Sequence, residues 1–307
     1  MLRTNRARLV ALVLVWVAFA SSSARAQTPA QSPSQTPAPP YETARLESKL
    51  MGRAMPYNVL LPSDYAASKD KLYPVLYLLH GLYGKHDDWL VRSRLVEHAS
   101  AHHFIIVTPE GGNGWYTDGA SDPSEKYESY IVRELVPEVE RRFRTLRARE
   151  GRGVAGLSMG GYGALKFGVK YPELFAFAGS TSGAVSVASW RSETDLPERL
   201  RPFIVRTFGP ADGATKKSND LFLLLRSFPA ERLPALPFFY FDCGTEDPLE
   251  LLAPNRALAD LLAERKIAHE YRQLPGDHSW PYWDRQVQEI LRVAARKLSP
   301  PVAVATK

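Results

Sequence analysis

The sequence predicts an α/β fold: one domain with a mostly parallel central sheet of about eight strands, helices on both faces and a helical insertion between the sixth and seventh strands. Three observations predict it. Short unbroken apolar runs such as VLYLL (Val75–Leu79) and FIIV (Phe104–Val107) have the hydrophobicity of strands buried on both faces. These runs alternate with longer segments of helical period, as in a parallel sheet covered by crossover helices. The foldable span, from about Tyr41 to about Pro300, is a common length for a single α/β unit.

The strands are expected near Ala44–Leu50, Tyr57–Leu61, Pro74–Leu79, Phe104–Thr108, Gly153–Gly156, Phe175–Gly179, Phe238–Phe241 and His269–Leu274. Helices are expected over Trp89–Ala101, Lys126–Arg144, Gly161–Lys170, Asn255–Arg265 and Tyr282–Leu298. Pro172 stops the third of these, and Ser299-Pro300-Pro301 stops the last. The interval Val185–Leu236 mixes Pro, Arg and Asp with one apolar helix candidate, Asp220–Arg226, and is expected as a helical insertion. Its place over the sheet suits either a lid or pocket wall, or a purely structural excursion.

The first residues form a different kind of segment. Arg3, Arg6 and Arg8 precede an apolar run from Leu9 to Ala20 that ends near Ala24-Arg25-Ala26, which predicts a signal peptide over 1–26 cleaved after Ala26. The run is shorter than the roughly 20 apolar residues of a spanning helix, so no stable membrane span is expected after cleavage. Residues 27–40, QTPAQSPSQTPAPP, hold no charge and no large apolar side chain, and are expected as an extended linker. The catalytic-size domain then occupies 41–300, with a tail at 301–307. The expected location is secreted or periplasmic.

Charge and cysteine content exclude some classes. Four of the cations behind the formal charge of +6 lie in residues 1–26, where there is no acid, so the remainder carries only +2. The charges are interspersed, as in EKYESYIVRELVPEVERRFR (Glu125–Arg144), which is a solvated helix face and gives no reason to expect nucleic-acid binding. The single cysteine, Cys243, rules out an internal disulfide, so stability must come from the core. His98 and His102 stand four apart, but no Glu accompanies them in the manner of a zinc-protease helix, and no metal site is expected.

The chemistry is carried by Gly156-Leu157-Ser158-Met159-Gly160, a Gly-x-Ser-x-Gly elbow with a strand candidate leading in and a small-residue helix start, GGYGALKFG, leading out. A serine hydroxyl needs a histidine base, and the histidine needs an orienting carboxylate. In folds of this type the acid and then the histidine follow the serine, at the carboxyl ends of later strands. Asp247 in FYFDCGTEDPLE and His278 in YRQLPGDHSWPYW stand at those places. Asp242 and Glu246 are the rival acids, one at the strand end and one beside it; Asp247 has the loop reach a triad demands. The oxyanion donors are expected to be the N–H groups of Met159 and of Leu82, the latter in the turn His80-Gly81-Leu82-Tyr83-Gly84 after the third strand. The histidine must be neutral to act, so activity should fall as pH drops through the imidazole range.

These residues, with MPYNVLLPSDY, YPVLYLLHGLYGKHDDW, NGWYTDG, GLSMGGYGAL, FDCGTEDPL and GDHSWPYW, are similar to the esterase branch of the α/β-hydrolases that includes esterase D, the feruloyl esterases and the antigen 85 mycolyltransferases. The likeness runs from about Leu46 to Arg296. It implies the α/β-hydrolase fold, Ser158, Asp247 and His278 as triad, and Leu82 and Met159 as oxyanion donors. It also implies a carboxylic ester as substrate, small or carbohydrate-linked, with no cofactor. Acyl transfer to an alcohol, or cleavage of an amide by the same triad, are the alternatives. Trp115, Tyr116 and Trp280 flank motifs that meet at the mouth of the site; they are expected either to stack on a sugar or aryl group or simply to pack, and Trp283 is expected in the core.

Overall fold

The structure is a computed structural model and describes residues 41–303. The expected signal peptide 1–26 and linker 27–40 lie outside the described residues, as does 304–307 of the expected tail.

The described residues build an eight-stranded sheet from β1 Tyr41–Ser48, β2 Arg53–Leu60, β3 Val75–Leu79, β4 Ile105–Pro109, β5 Arg152–Leu157, β6 Phe177–Thr181, β7 Phe238–Gly244 and β8 His269–Leu274. The order across the sheet is β1-β2-β4-β3-β5-β6-β7-β8. β2 runs antiparallel to both its neighbours and every other pairing is parallel. From β3 the chain goes to β4 on one side and then returns to β5 on the other. That reversal opens a crevice at the carboxyl ends of β3 and β5, the place where open α/β sheets bind ligands.

Both faces of the sheet are covered. On one face Leu76, Leu78, Ala155, Phe177 and Tyr240 pack against Trp89, Leu95 and the apolar stripe Trp283, Val287, Ile290, Leu291 of a long helix. That helix is α10, Trp280–Lys297, and its buried residues recur at helical spacing while Arg285, Glu289 and Arg292 face outward. On the other face Tyr77, Leu79, Val154, Ala178 and Phe241 pack against Leu165 and Phe167 of α5 (Met159–Lys170), with Leu258 and Leu262 of α9 (Leu252–Glu264). Alternate residues of each strand thus feed two cores. No helix among the described residues is long and apolar enough to cross a membrane.

Each expected strand forms, with its ends shifted by a few residues. Two expected helices are interrupted. The stretch Trp89–Ala101 splits into α1 Asp88–Val91 and α2 Leu95–Ala99. At the break Asp284 of α10 accepts the Arg94 N–H at 2.7 Å, and Ser93 Oγ accepts the Leu95 N–H while donating to the Trp89 carbonyl. Side-chain acceptors have replaced the helical ladder there. The stretch Lys126–Arg144 becomes α3 Tyr127–Tyr130, a π turn Ile131–Leu135 and α4 Val136–Arg142. Pro137 has no N–H to give the carbonyl of Arg133, and the π turn that contains Arg133 ends two residues before it.

The insertion holds α6 Arg201–Phe208, α7 Ala214–Lys217 and α8 Leu221–Ser227. Asp220 caps α8 by accepting the N–H groups of Phe222 and Leu223. Past α10, Val302 and Ala303 of the tail pair antiparallel with Leu72 and Lys71.

Candidate active site

β5 delivers the chain into a turn that only small flanking residues permit. Ser158 sits at φ 52° and ψ −115°, a strained conformation for a residue with a side chain. A Cβ on Gly156 would lie 2.5 Å from the backbone of Gly160, and one on Gly160 would lie 2.5 Å from the Leu79 carbonyl oxygen. Glycine at both positions is therefore a packing requirement. The strained residue is anchored by backbone bonds: its N–H donates to the Thr181 carbonyl at 3.0 Å, and its carbonyl accepts from Tyr162 and Ala184. The turn leaves the hydroxyl at the carboxyl edge of the sheet, at the first turn of α5.

The loops after β7 and β8 bring Asp247 and His278 to the same edge. His278 Nε2 lies 3.0 Å from Ser158 Oγ, and His278 Nδ1 lies 2.8 Å from Asp247 Oδ2. The other oxygen of Asp247 accepts the Leu249 N–H at 2.9 Å, so the whole carboxylate is held. Its side chain is fully shielded, whereas the imidazole keeps some access to solvent. The edge of the His278 ring meets Trp283 at 4.9 Å between centroids, and the Trp283 indole N–H donates to Ser182 Oγ. Trp283 is buried in the α10 core and also presents a surface to the site.

The rival acids stand elsewhere. Asp242 is wholly buried at the end of β7, accepting from Thr181 Oγ1 and the Tyr282 hydroxyl on one oxygen. Its other oxygen has no partner among the described residues, and burial pushes its carboxyl up to about 7. Glu246 is exposed.

The turn after β3 closes the site from the far side. A Cβ on Gly81 would come within 3.5 Å of Ser158 Cβ, so the Gly81–Leu82 backbone passes directly beside the serine. The Gly81 carbonyl is turned away, meeting His80 Nδ1 at 2.8 Å and accepting the Gly84 N–H at 3.0 Å. Gly111 donates to His80 Nε2, which leaves Nδ1 as the protonated nitrogen. Since N–H and C=O of a trans peptide point in opposite directions, this aims the Leu82 N–H the other way. That N–H has no acceptor among the described residues. Met159 opens α5, where the first N–H groups have no partner within the helix.

Ser158, His278, Gly81 and Leu82 border a cavity of about 1190 Å³. Trp115 and Trp280 line it; Trp280 stands edge-on to Trp89 and Trp283, with the Arg92 guanidinium 5.0 Å above its ring. Tyr116 does not reach the cavity: it is fully buried and its hydroxyl donates to the His80 carbonyl. His98 and His102 are apart in role, His98 pairing with Asp284 and His102 stacking on Phe104. The sequence offered the insertion as a lid or pocket wall or a structural excursion, without pointing to any wall residue in it. The cavity wall is built largely by the insertion, through Trp190, Leu196, Arg199, Leu200 and Ile204, together with Tyr83 from the β3 turn. The only signal was the position of the insertion; nothing in its residue types marked these as wall.

A hydroxyl 3.0 Å from an imidazole nitrogen, with a carboxylate behind the ring, two N–H donors nearby and a large apolar cavity in front, is an arrangement suited to acyl transfer through a covalent intermediate. The proteins similar to this chain are esterases. A family model described as "Putative esterase" matches residues 48–294. An esterase of Mycobacterium tuberculosis is 32% identical over 252 residues, 76% of this chain and 54% of that one, so the chain spans about half the length of that curated relative. An acetyl esterase of Caldicellulosiruptor saccharolyticus is 27% identical, over 78% of this chain and 92% of that protein. Among solved structures, a ferulic acid esterase is similar with a TM-score of 0.72 and 27% identity, covering 84% of this chain and 98% of that one. With the family match spanning most of its length, the chain belongs to this esterase family of α/β-hydrolase fold.

Proposed function

We propose that this chain is an exported serine esterase that hydrolyses carboxylic esters through an acyl-enzyme. The observation that carries the reading is the unbroken relay Ser158 Oγ, His278 and Asp247 at 3.0 and 2.8 Å, opening on a large cavity. Family membership supports the ester as substrate, and the acetyl and ferulic acid esterases among its relatives share that bond type. Export rests on the pattern of residues 1–26.

In this reading the Ser158 oxygen attacks the ester carbonyl carbon as its proton passes to His278 Nε2. Asp247 holds the ring so that Nδ1 keeps its proton and Nε2 faces the serine, and it stabilises the imidazolium that forms. The N–H groups of Leu82 and Met159 take the charge that develops on the carbonyl oxygen. The imidazolium protonates the leaving alcohol, the C–O bond breaks, and the acyl group stays on Ser158. Water, giving its proton to His278, then attacks the acyl carbon and regenerates the hydroxyl. Trp280 and Trp115 border the space where the acyl or leaving group would lie.

The test is hydrolysis of a p-nitrophenyl ester chain-length series by the mature protein and by Ser158→Ala. The expected result is activity in the first and a loss of at least ~10⁴-fold in the second. Equal rates in the two proteins would overturn the mechanism, and wild-type inactivity on every ester would overturn the substrate class.

A further inference from the structure

Lys166 is fully buried in α5, two turns beyond Ser158, and the proposed chemistry does not use it. Its ammonium meets four acceptors: the Tyr116 carbonyl and Thr117 Oγ1 at 2.7 Å, Glu128 Oε2 at 2.8 Å and Asn219 Oδ1 at 3.0 Å. Those acceptors belong to three different segments. Tyr116 and Thr117 continue the turn that carries Trp115 to the cavity, Glu128 lies in α3, and Asn219 lies in the insertion between α7 and α8.

Two of these attachments, at the Trp115 turn and at Asn219, lead to the cavity wall. Trp115 and Tyr116 both adopt left-handed backbone, φ 52° and 50°, a conformation that large side chains keep only under constraint. The bonds from Lys166 to the Tyr116 carbonyl and Thr117 Oγ1 hold that turn from α5, beside its own bonds from the Thr117 N–H to Gly114 and from Thr117 Oγ1 to the Trp115 carbonyl. On the other side α5 grips Asn219 three times: besides Lys166, Lys170 Nζ donates to the same Oδ1 at the longer distance of 3.3 Å, and the Tyr162 hydroxyl donates to the Asn219 carbonyl at 2.7 Å. Its neighbour Asp220 caps α8 and accepts from Ser189, a wall residue. Trp115, Tyr162 and Phe208 of α6 close the gap as a cluster of edge-on and tilted rings, with centroids 6.1 to 6.4 Å apart. Burial pushes Lys166 down to about 8 against the pull of Glu128, so the ammonium, with all three donors, is the form present at neutral pH. Glu128 is itself also held by Lys170 and the Tyr171 hydroxyl.

We propose that Lys166 is a positioning residue for substrate selectivity: by tying the Trp115 turn and the Asn219 end of the insertion to the helix that carries Ser158, it fixes the shape of the cavity wall relative to the nucleophile. The proposal rests on the reading of this cavity as the ester site. A large acyl or leaving group would use that wall, and an acetyl group would not reach far along it. Lys166 therefore bears on which ester is bound more than on the bond-breaking step.

The experiment compares wild type, Lys166→Met and the double variant Lys166→Met/Glu128→Gln, the last removing the charge that Lys166 no longer balances while its amide keeps an acceptor for Lys170 and the Tyr171 hydroxyl. Steady-state kinetics on p-nitrophenyl acetate and on a p-nitrophenyl ester of a bulky arylpropanoic acid give the ratio of kcat/KM, large over small. The expected result is a fall of about tenfold in that ratio in both variants, lying mainly in KM for the large ester. An unchanged ratio, or an equal loss of kcat on both esters, would overturn the proposal. Hydrogen exchange read by mass spectrometry gives a test that needs no activity: peptides covering 113–121 and 214–220 should exchange at least tenfold faster in the double variant, with the β3 peptide unchanged. Protection kept in both segments would overturn the clamp even if the protein hydrolysed no ester, an outcome that by itself would sink the esterase reading instead.

Discussion

The sheet edge and the insertion beside it border the same cavity but are held in different ways. At the edge, the side chains of Ser158, Asp247 and His278 hang from loops of a few residues directly after β5, β7 and β8, and the strained serine is anchored by three backbone hydrogen bonds. In the insertion, short helices lie on α5 through aromatic rings and the buried contacts of Asn219 with Lys166 and Tyr162. Backbone anchoring is insensitive to which apolar residues surround it, whereas a wall held by side chains changes shape with each of them. On the proposed reading, bond-making and selectivity fall to separately built regions.

That division can be broken by variants that ignore it. At the edge, His278→Ala removes the base, and kcat should fall on the order of 10⁵-fold, by the same factor for acetyl and bulky esters; a loss confined to bulky esters would place His278 in recognition. Asp247→Asn keeps the shape but no longer favours the imidazole form with Nδ1–H toward residue 247, and a loss of roughly 10⁴ in kcat with little change in KM is expected from pH-rate measurements. A loss under tenfold would move the acid role away from Asp247.

Asp242 sharpens the comparison between the two aspartates at the carboxyl end of β7, one in the strand and one in the loop that follows. Burial raises its carboxyl to about 7, so the folded state keeps a proton that the unfolded chain releases at about 4. Between those values the folded state binds more protons, and stability declines as pH rises through that window. Asp242→Asn, which preserves an acceptor for Thr181 and Tyr282, should remove this decline. Denaturant melts at pH 4, 5.5 and 7 should then show the variant gaining on wild type by up to ~1.4 kcal/mol per pH unit, and a gap independent of pH would mean that Asp242 is ionised throughout. The smallest effect is expected in the wall: Arg199, exposed and 5.8 Å over the Tyr83 ring, should on change to Ala alter KM for bulky esters only severalfold. Its stability should stay within about 0.5 kcal/mol of wild type.

The two regions also differed in how far the sequence disclosed them. Strands buried on both faces announce themselves as apolar runs, and the elbow demands glycines at 156 and 160 for contacts that any Cβ would violate. Asp247 and His278 could be placed because the chain order of this fold puts them after later strands. Trp190, Leu196 and Ile204 carried no such signal: apolar side chains in a Pro- and Arg-rich stretch look alike whether they line a cavity or fill a core. Tyr116 is the converse, an aromatic beside Trp115 whose ring turns inward to His80. The break between α1 and α2 was hidden for a related reason, since Asp284 lies 190 residues from the Arg94 N–H that it takes.

The most direct measurement of the central claim is the intact mass of the protein, prepared without residues 1–26, after reaction with diethyl p-nitrophenyl phosphate, followed by peptide mapping. The account predicts one diethylphosphoryl group per chain, carried by Ser158 Oγ, with p-nitrophenolate released in equal amount and ester hydrolysis lost in proportion. An unmodified chain that still hydrolyses esters, or a modified residue other than Ser158 in a protein so inactivated, would contradict it.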